Sequence, residues 1–97
     1  MQTLPDGWLE VSDKEAAGFE AELKKEVCAL HPLHEQQARC IGRRKDRDDF
    51  LFLFPGSARP VAVVHLTWSI EKTADFPWTT FFESEEDFSQ NWRRIFE

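Results

Sequence analysis

The chain predicts an α+β domain: an antiparallel meander of three to four strands flanked by an N-terminal and a C-terminal helix, in the order α-β-β-β-β-α. Three observations carry this. Ser12 with Glu15, and Ser84 with Asp87, have the spacing of a capping box, in which two side chains satisfy backbone donors at a helix start. Between them lie two apolar runs, Phe50 to Phe54 and Val61 to Trp68, too short for helices and apolar on both faces. Polar and glycine-proline clusters separate these runs at hairpin distances.

Residues 1–11 read as a tether, with Pro5-Asp6-Gly7 as a turn and Trp8 as an apolar anchor. The first helix starts at Ser12. Its stripe of Ala16, Phe19, Leu23, Val27 and Leu30 recurs at three- and four-residue steps, and Pro32 stops it near Leu30 or His31. Residues 37–45 form a weaker strand, interrupted by Gly42, and KDRDD makes a turn. Pro55-Gly56-Ser57 opens the loop joining the two strong strands, and Pro60 stands at a strand start, where its missing N–H is tolerated. Phe76-Pro77-Trp78 reads as a turn or bulged edge, and Thr79 to Phe82 as a fourth strand. In the last helix Phe82 staples onto Phe88, and the buried stripe is Phe88, Trp92, Ile95 and Phe96. Glu85, Glu86 and Asp87 open that helix and Arg93 and Arg94 close it, the order that suits the helix dipole.

Ninety-seven residues make a single domain, 1–97, with nine Phe and four Trp to build one modest core. The net charge of −6 is uneven: residues 1–30 and 61–97 are acidic and the middle third is mildly basic. An acidic chain is a poor match for phosphates, so nucleic acid is not expected as a partner. The start MQTLPDGWLE has neither the basic nor the apolar region of a signal peptide, and no apolar stretch spans a bilayer, so no membrane role is expected. Two cysteines without CxxC spacing fit a reduced, cytoplasmic setting.

Two strands apolar on both faces leave surplus apolar surface. If both helices cover one face, the other exposes Leu51, Leu53, Val61 and Val63 as an interface for a protein partner or a second copy. If the helices lie on opposite faces, or Trp8 folds over the second, that patch is covered.

Candidate chemistry is sparse. Cys28, His31, His34 and Cys40 offer four zinc-type ligands, but C-x2-H-x2-H-x5-C is not a standard spacing, so no metal and no cofactor is assigned. His65, the one histidine that looks buried, is the best single base, with Thr67, Trp68 and Trp78 as companions around a ligand or partner site. One strand brings no nucleophile, oriented base and oxyanion site together, so no catalytic residue is assigned and the reading leans away from an enzyme. Arg43, Arg44, Lys45 and Arg47 alternate with Asp46, Asp48 and Asp49 and read as a solvated turn. GxGxxG, Walker, GxSxG and HExxH motifs do not occur.

His31-Pro32-Leu33, DDFLF at 48–52, VAVVHLTW at 61–68 and PWTTFFES at 77–84 together resemble small bacterial proteins of uncharacterised function with a VHLTW strand and a P-W-T-x-F-F-x-S helix entry. The resemblance spans about residues 15–90. It implies a bacterial, cytoplasmic origin and carries no activity or site residue with it. Two functional expectations follow. One is a non-enzymatic interaction module acting through an apolar sheet face and acidic helices, for example an immunity-type inhibitor. The other is a small-ligand-binding protein or enzyme with a pocket around His65, Trp68 and Trp78.

Overall fold

The computed structural model describes residues 4–28, 31, 33, 34, 36–68 and 77–96. The elements in order are β1 (Trp8–Glu10), α1 (Asp13–Glu26), β2 (Arg39–Arg44), β3 (Asp49–Leu53), β4 (Val61–His65), β5 (Trp78–Phe82) and α2 (Glu85–Phe96). The strands form one antiparallel sheet in sequential order, β1-β2-β3-β4-β5. The α+β class stands. The strand count rises to five, because the supposed tether contributes β1, an edge strand pairing Trp8 with Arg44 and Glu10 with Gly42. Among the described residues no helix is long and apolar enough to cross a membrane.

Each end of the sequence builds its helix as the caps dictate. Ser12 Oγ accepts from Glu15 N–H at 3.1 Å and Glu15 Oε1 accepts from Ser12 N–H at 3.0 Å. The Ser12 backbone N–H and then its hydroxyl hold the Glu15 carboxyl below its ordinary value. Asp87 N–H donates to Ser84 Oγ at 3.0 Å, while the Asp87 carboxylate accepts from Glu83 N–H at 2.9 Å. The expected staple is present, with the Phe82 and Phe88 rings edge to face at 5.5 Å. α1 ends at Glu26, short of the expected Leu30 or His31, because Val27 turns extended (φ −76°, ψ 128°). Leu30 and Pro32 lie outside the described residues.

The two helices cover opposite faces of the sheet. On the α1 face Ala16 and Leu23 pack on Phe50, Phe52, Phe54, Ala62, Val64 and Leu66, with Phe19 and Val27 at the margin. On the α2 face Phe88 and Trp92 pack on Leu51, Val61, Val63 and Phe82. Trp8 closes that layer, edge to face with Phe88 at 5.2 Å and Trp92 at 5.7 Å. The expectation of an apolar sheet face open to a partner is therefore corrected. Leu51, Val61 and Val63 are buried, and Leu53 half-buried, beneath the chain's own C-terminal helix. The reason is layer economy: a sheet apolar on both faces buries most surface with one helix on each.

β2 carries a bulge, with its register to β3 shifting between Cys40 and Gly42. Alternation alone would put Cys40 and Arg44 on the same face. The extra residue puts Cys40 in the α1 core, while Arg44 lies over the Trp92 ring of α2, its guanidinium 5.0 Å from the ring centre. Ile95 of the expected stripe is exposed instead.

The turn entering β1 needs glycine. Gly7 has φ +96°, and a Cβ there would meet the Trp92 ring at 3.4 Å. Gly7→Ala is expected to lower stability by about 1–2 kcal/mol, from the left-handed backbone penalty. A urea melt checks this; an unchanged midpoint would count against the role given to the turn.

Candidate functional site

The hairpin β3–β4 places Asp49 opposite His65, and β4–β5 places His65 opposite Trp78. All three side chains point to the α2 side, in a row beyond the last core layer of Leu51 and Val63. Asp49 is 4% exposed and its Oδ1 lies 2.9 Å from His65 Nδ1. Behind it, Arg44 Nη1 stands 3.9 Å from Asp49 Oδ2, and Arg44 Nε lies 3.4 Å from Asp46 Oδ1. The result is a file of polar groups, Asp46–Arg44–Asp49–His65, buried at its centre and open at both ends.

The open end at His65 faces a cleft of about 280 Å³ lined by Arg47, Asp49, His65, Trp78, Thr80 and Ile95. Trp78 is 70% exposed and Ile95 53% exposed, so β5 and α2 each give the cleft an apolar wall. With Nδ1 held by Asp49, Nε2 is the ring nitrogen left to meet a ligand.

The sequence-predicted site residues divide. His65 and Trp78 come together. Trp68 lies on the α1 side, 48% exposed, against Phe19 and Phe50 at ring distances of 6.3 and 6.0 Å. Thr67 turns to α1 as well, because β4 ends at His65 and strand alternation ends with it. Its N–H and Oγ1 donate to Glu26 Oε1 at 2.8 and 3.0 Å, and Trp68 N–H donates to Glu26 Oε2 at 2.8 Å. Trp68 has φ 60°, a left-handed backbone unusual for a tryptophan. Glu26 is wholly buried at the end of α1 and clamps this turn. Burial, and then a hydrogen bond with Glu22, raises its carboxyl above the ordinary value against the pull of the three donors.

His65 is not the buried histidine. Its side chain is 49% exposed, and the buried one is His31. His31 Nδ1 accepts from Leu33 N–H at 3.0 Å, so Nε2 carries the hydrogen donated to the Pro77 carbonyl at 2.9 Å. Both ring nitrogens thus serve the fold, pinning the segment after α1 to the start of β5. Cys40 is buried, its thiol bonded to the Gly42 carbonyl at 3.6 Å and pushed up to about 12, chiefly by burial. The Cys28, His31, His34 and Cys40 string does not assemble: among the described residues no group of three or more His, Cys, Asp or Glu side chains could hold a metal ion.

Asp49, Arg44 and Glu26 are the residues that sequence reasoning missed. Asp49 and Arg44 stand in a stretch whose mixed charges read as a solvated turn, yet equal steps back from the Leu53–Val61 pair put Asp49 opposite His65. Glu26 follows Ala16, Phe19 and Leu23 at the same three-four spacing, a carboxylate on a buried stripe. No protein-family model, curated protein or solved structure matches the chain.

Proposed function

We propose that this is a binding protein whose site is the cleft between His65 and Trp78, taking a small ligand with an aromatic or branched apolar body and a hydrogen-bond donor. The observation that carries this is a half-exposed histidine oriented by a buried carboxylate beside a tryptophan left open to solvent. A buried carboxylate bonded to Nδ1 fixes the ring and directs Nε2 outward as an acceptor. Trp78 and Ile95 supply the apolar walls, and the Thr80 hydroxyl a further polar group. At about 280 Å³ the cleft suits a fragment-sized molecule.

Phenol and its methyl ether, anisole, share an aromatic body and differ in the donor. Titrated against labelled protein by NMR, phenol is expected to shift His65, Trp78 and Ile95 saturably at about millimolar concentration. It is expected to bind about 3–10-fold tighter than anisole, the worth of one ordinary hydrogen bond. His65→Ala should abolish that preference. Trp78→Ala should weaken both ligands about tenfold with little change in stability, since the side chain is largely exposed. Shifts that do not saturate, or that ignore both substitutions, would end this reading.

Exposed Trp78 and Ile95 side by side also favour a second reading, in which a protein partner or second copy inserts an apolar side chain into the cleft. The charge of −6 would draw a basic partner, the immunity-type case included. Light scattering at micromolar concentration separates the homodimer: a dimer that Trp78→Ala dissolves supports it, and a monomer removes it.

A further inference from the structure

We propose that Arg44 is a positioning residue for His65, holding the imidazole in the Nδ1–H tautomer that presents Nε2 to the cleft as an acceptor. The inference rests on the cleft reading given above, and concerns how that site is held ready. The two Asp49 oxygens have different neighbours. Oδ2 faces the Arg44 guanidinium at 3.9 Å, and Oδ1 faces His65 Nδ1 at 2.9 Å. A guanidinium has donors only and carries a permanent positive charge, so the carboxylate that faces it presents acceptors, on Oδ1 as on Oδ2. Oδ1 then takes a hydrogen bond from Nδ1–H, and Nε2 is left bare.

Arg44 is itself held. It is 6% exposed, its guanidinium lies over the Trp92 ring, and its Nε faces Asp46 at the sheet end. The bulge in β2 is what brings it to this face. Arg47, on the rim of the same cleft, is exposed and stands on the ligand side of His65. Of these two arginines, Arg44 is the one paired to Asp49 from behind.

The chain has three histidines, so the ring nitrogens of uniformly labelled protein are resolved by two-dimensional ¹⁵N NMR. With its imidazole neutral, wild-type His65 is expected as Nδ1–H. His31, which donates through Nε2, provides the opposite pattern as an internal reference. R44M keeps the stem against Trp92 and removes the charge; it is expected to lower the Nδ1–H to Nε2–H ratio of His65 several-fold while leaving His31 unchanged. R44K should restore much of the ratio. R44Q replaces R44M if a dispersed amide spectrum shows that R44M does not fold. An Nε2–H tautomer in the wild type overturns the proposal, and so does a wild-type ratio in the uncharged variant. No ligand enters this measurement. Failure of phenol to bind with the tautomer pattern intact defeats the cleft reading alone, and an unmoved tautomer beside normal phenol binding defeats this proposal alone.

Discussion

Glu26→Ala is expected to lower the stability of the domain by about 3–5 kcal/mol, a large part of what a domain this size commands. The carboxylate is wholly buried and accepts from Thr67 N–H, Thr67 Oγ1 and Trp68 N–H, all within 3.0 Å. Removing it takes the common acceptor from three donors and frees a turn whose Trp68 backbone is left-handed. Glu26→Gln separates charge from shape. The folded-state carboxyl is raised above its ordinary value of 4.5, so it contributes stability that is full below that value and is lost as pH rises through the raised one. Glutamine does not titrate. Its deficit relative to wild type should therefore be greatest in acid and shrink toward neutral pH. Urea melts across that range check both points. A deficit independent of pH would remove the raised carboxyl from the account, and an alanine variant within about 1 kcal/mol of wild type would remove the clamp.

Asp49→Ala is expected to cost about 2–4 kcal/mol, because it leaves a buried arginine without its buried partner. The cost falls around and below the lower end of the usual range for a broken buried pair, since Asp46 remains 3.4 Å from Arg44 Nε. The same change should release His65 from the Nδ1–H tautomer and erase the preference for phenol over anisole. Stability, tautomer and binding thus fall together in this variant. In His65→Ala, where the lost side chain is half-exposed, binding falls with little loss of stability. A stable Asp49→Ala with unchanged phenol preference would show that the pair does not organise the cleft.

The two caps, the hairpin and the entry to α2 were legible because each rests on residues within a few positions of one another. Ser12 and Glu15 are three apart, as are Ser84 and Asp87, and Phe82 meets Phe88 across one cap. β1 was not legible: Trp8-Leu9-Glu10 is too short to alternate, and it is a strand because β2 offers it an edge. His65 and Trp78 were singled out and do meet, but Thr67, two residues past His65 and on its face by alternation, goes to the other face. There the Glu26 clamp, not strand parity, directs the Thr67 side chain.

The amino-acid order alone thus set the class, the helix starts and the two central strands, all of them products of local spacing and backbone chemistry. It left open which face each helix would cover, and with that whether Leu51, Val61 and Val63 would be surface or core. It left open as well that Asp49 would meet His65, 16 residues away, and that Glu26 would hold Thr67, 41 residues away. Those contacts depend on register, on a bulge that shifts the side of the sheet Arg44 occupies, and on the packing of α2. Periodicity within a segment carries no information on how that segment is placed against another, and the candidate site is made entirely of such placements.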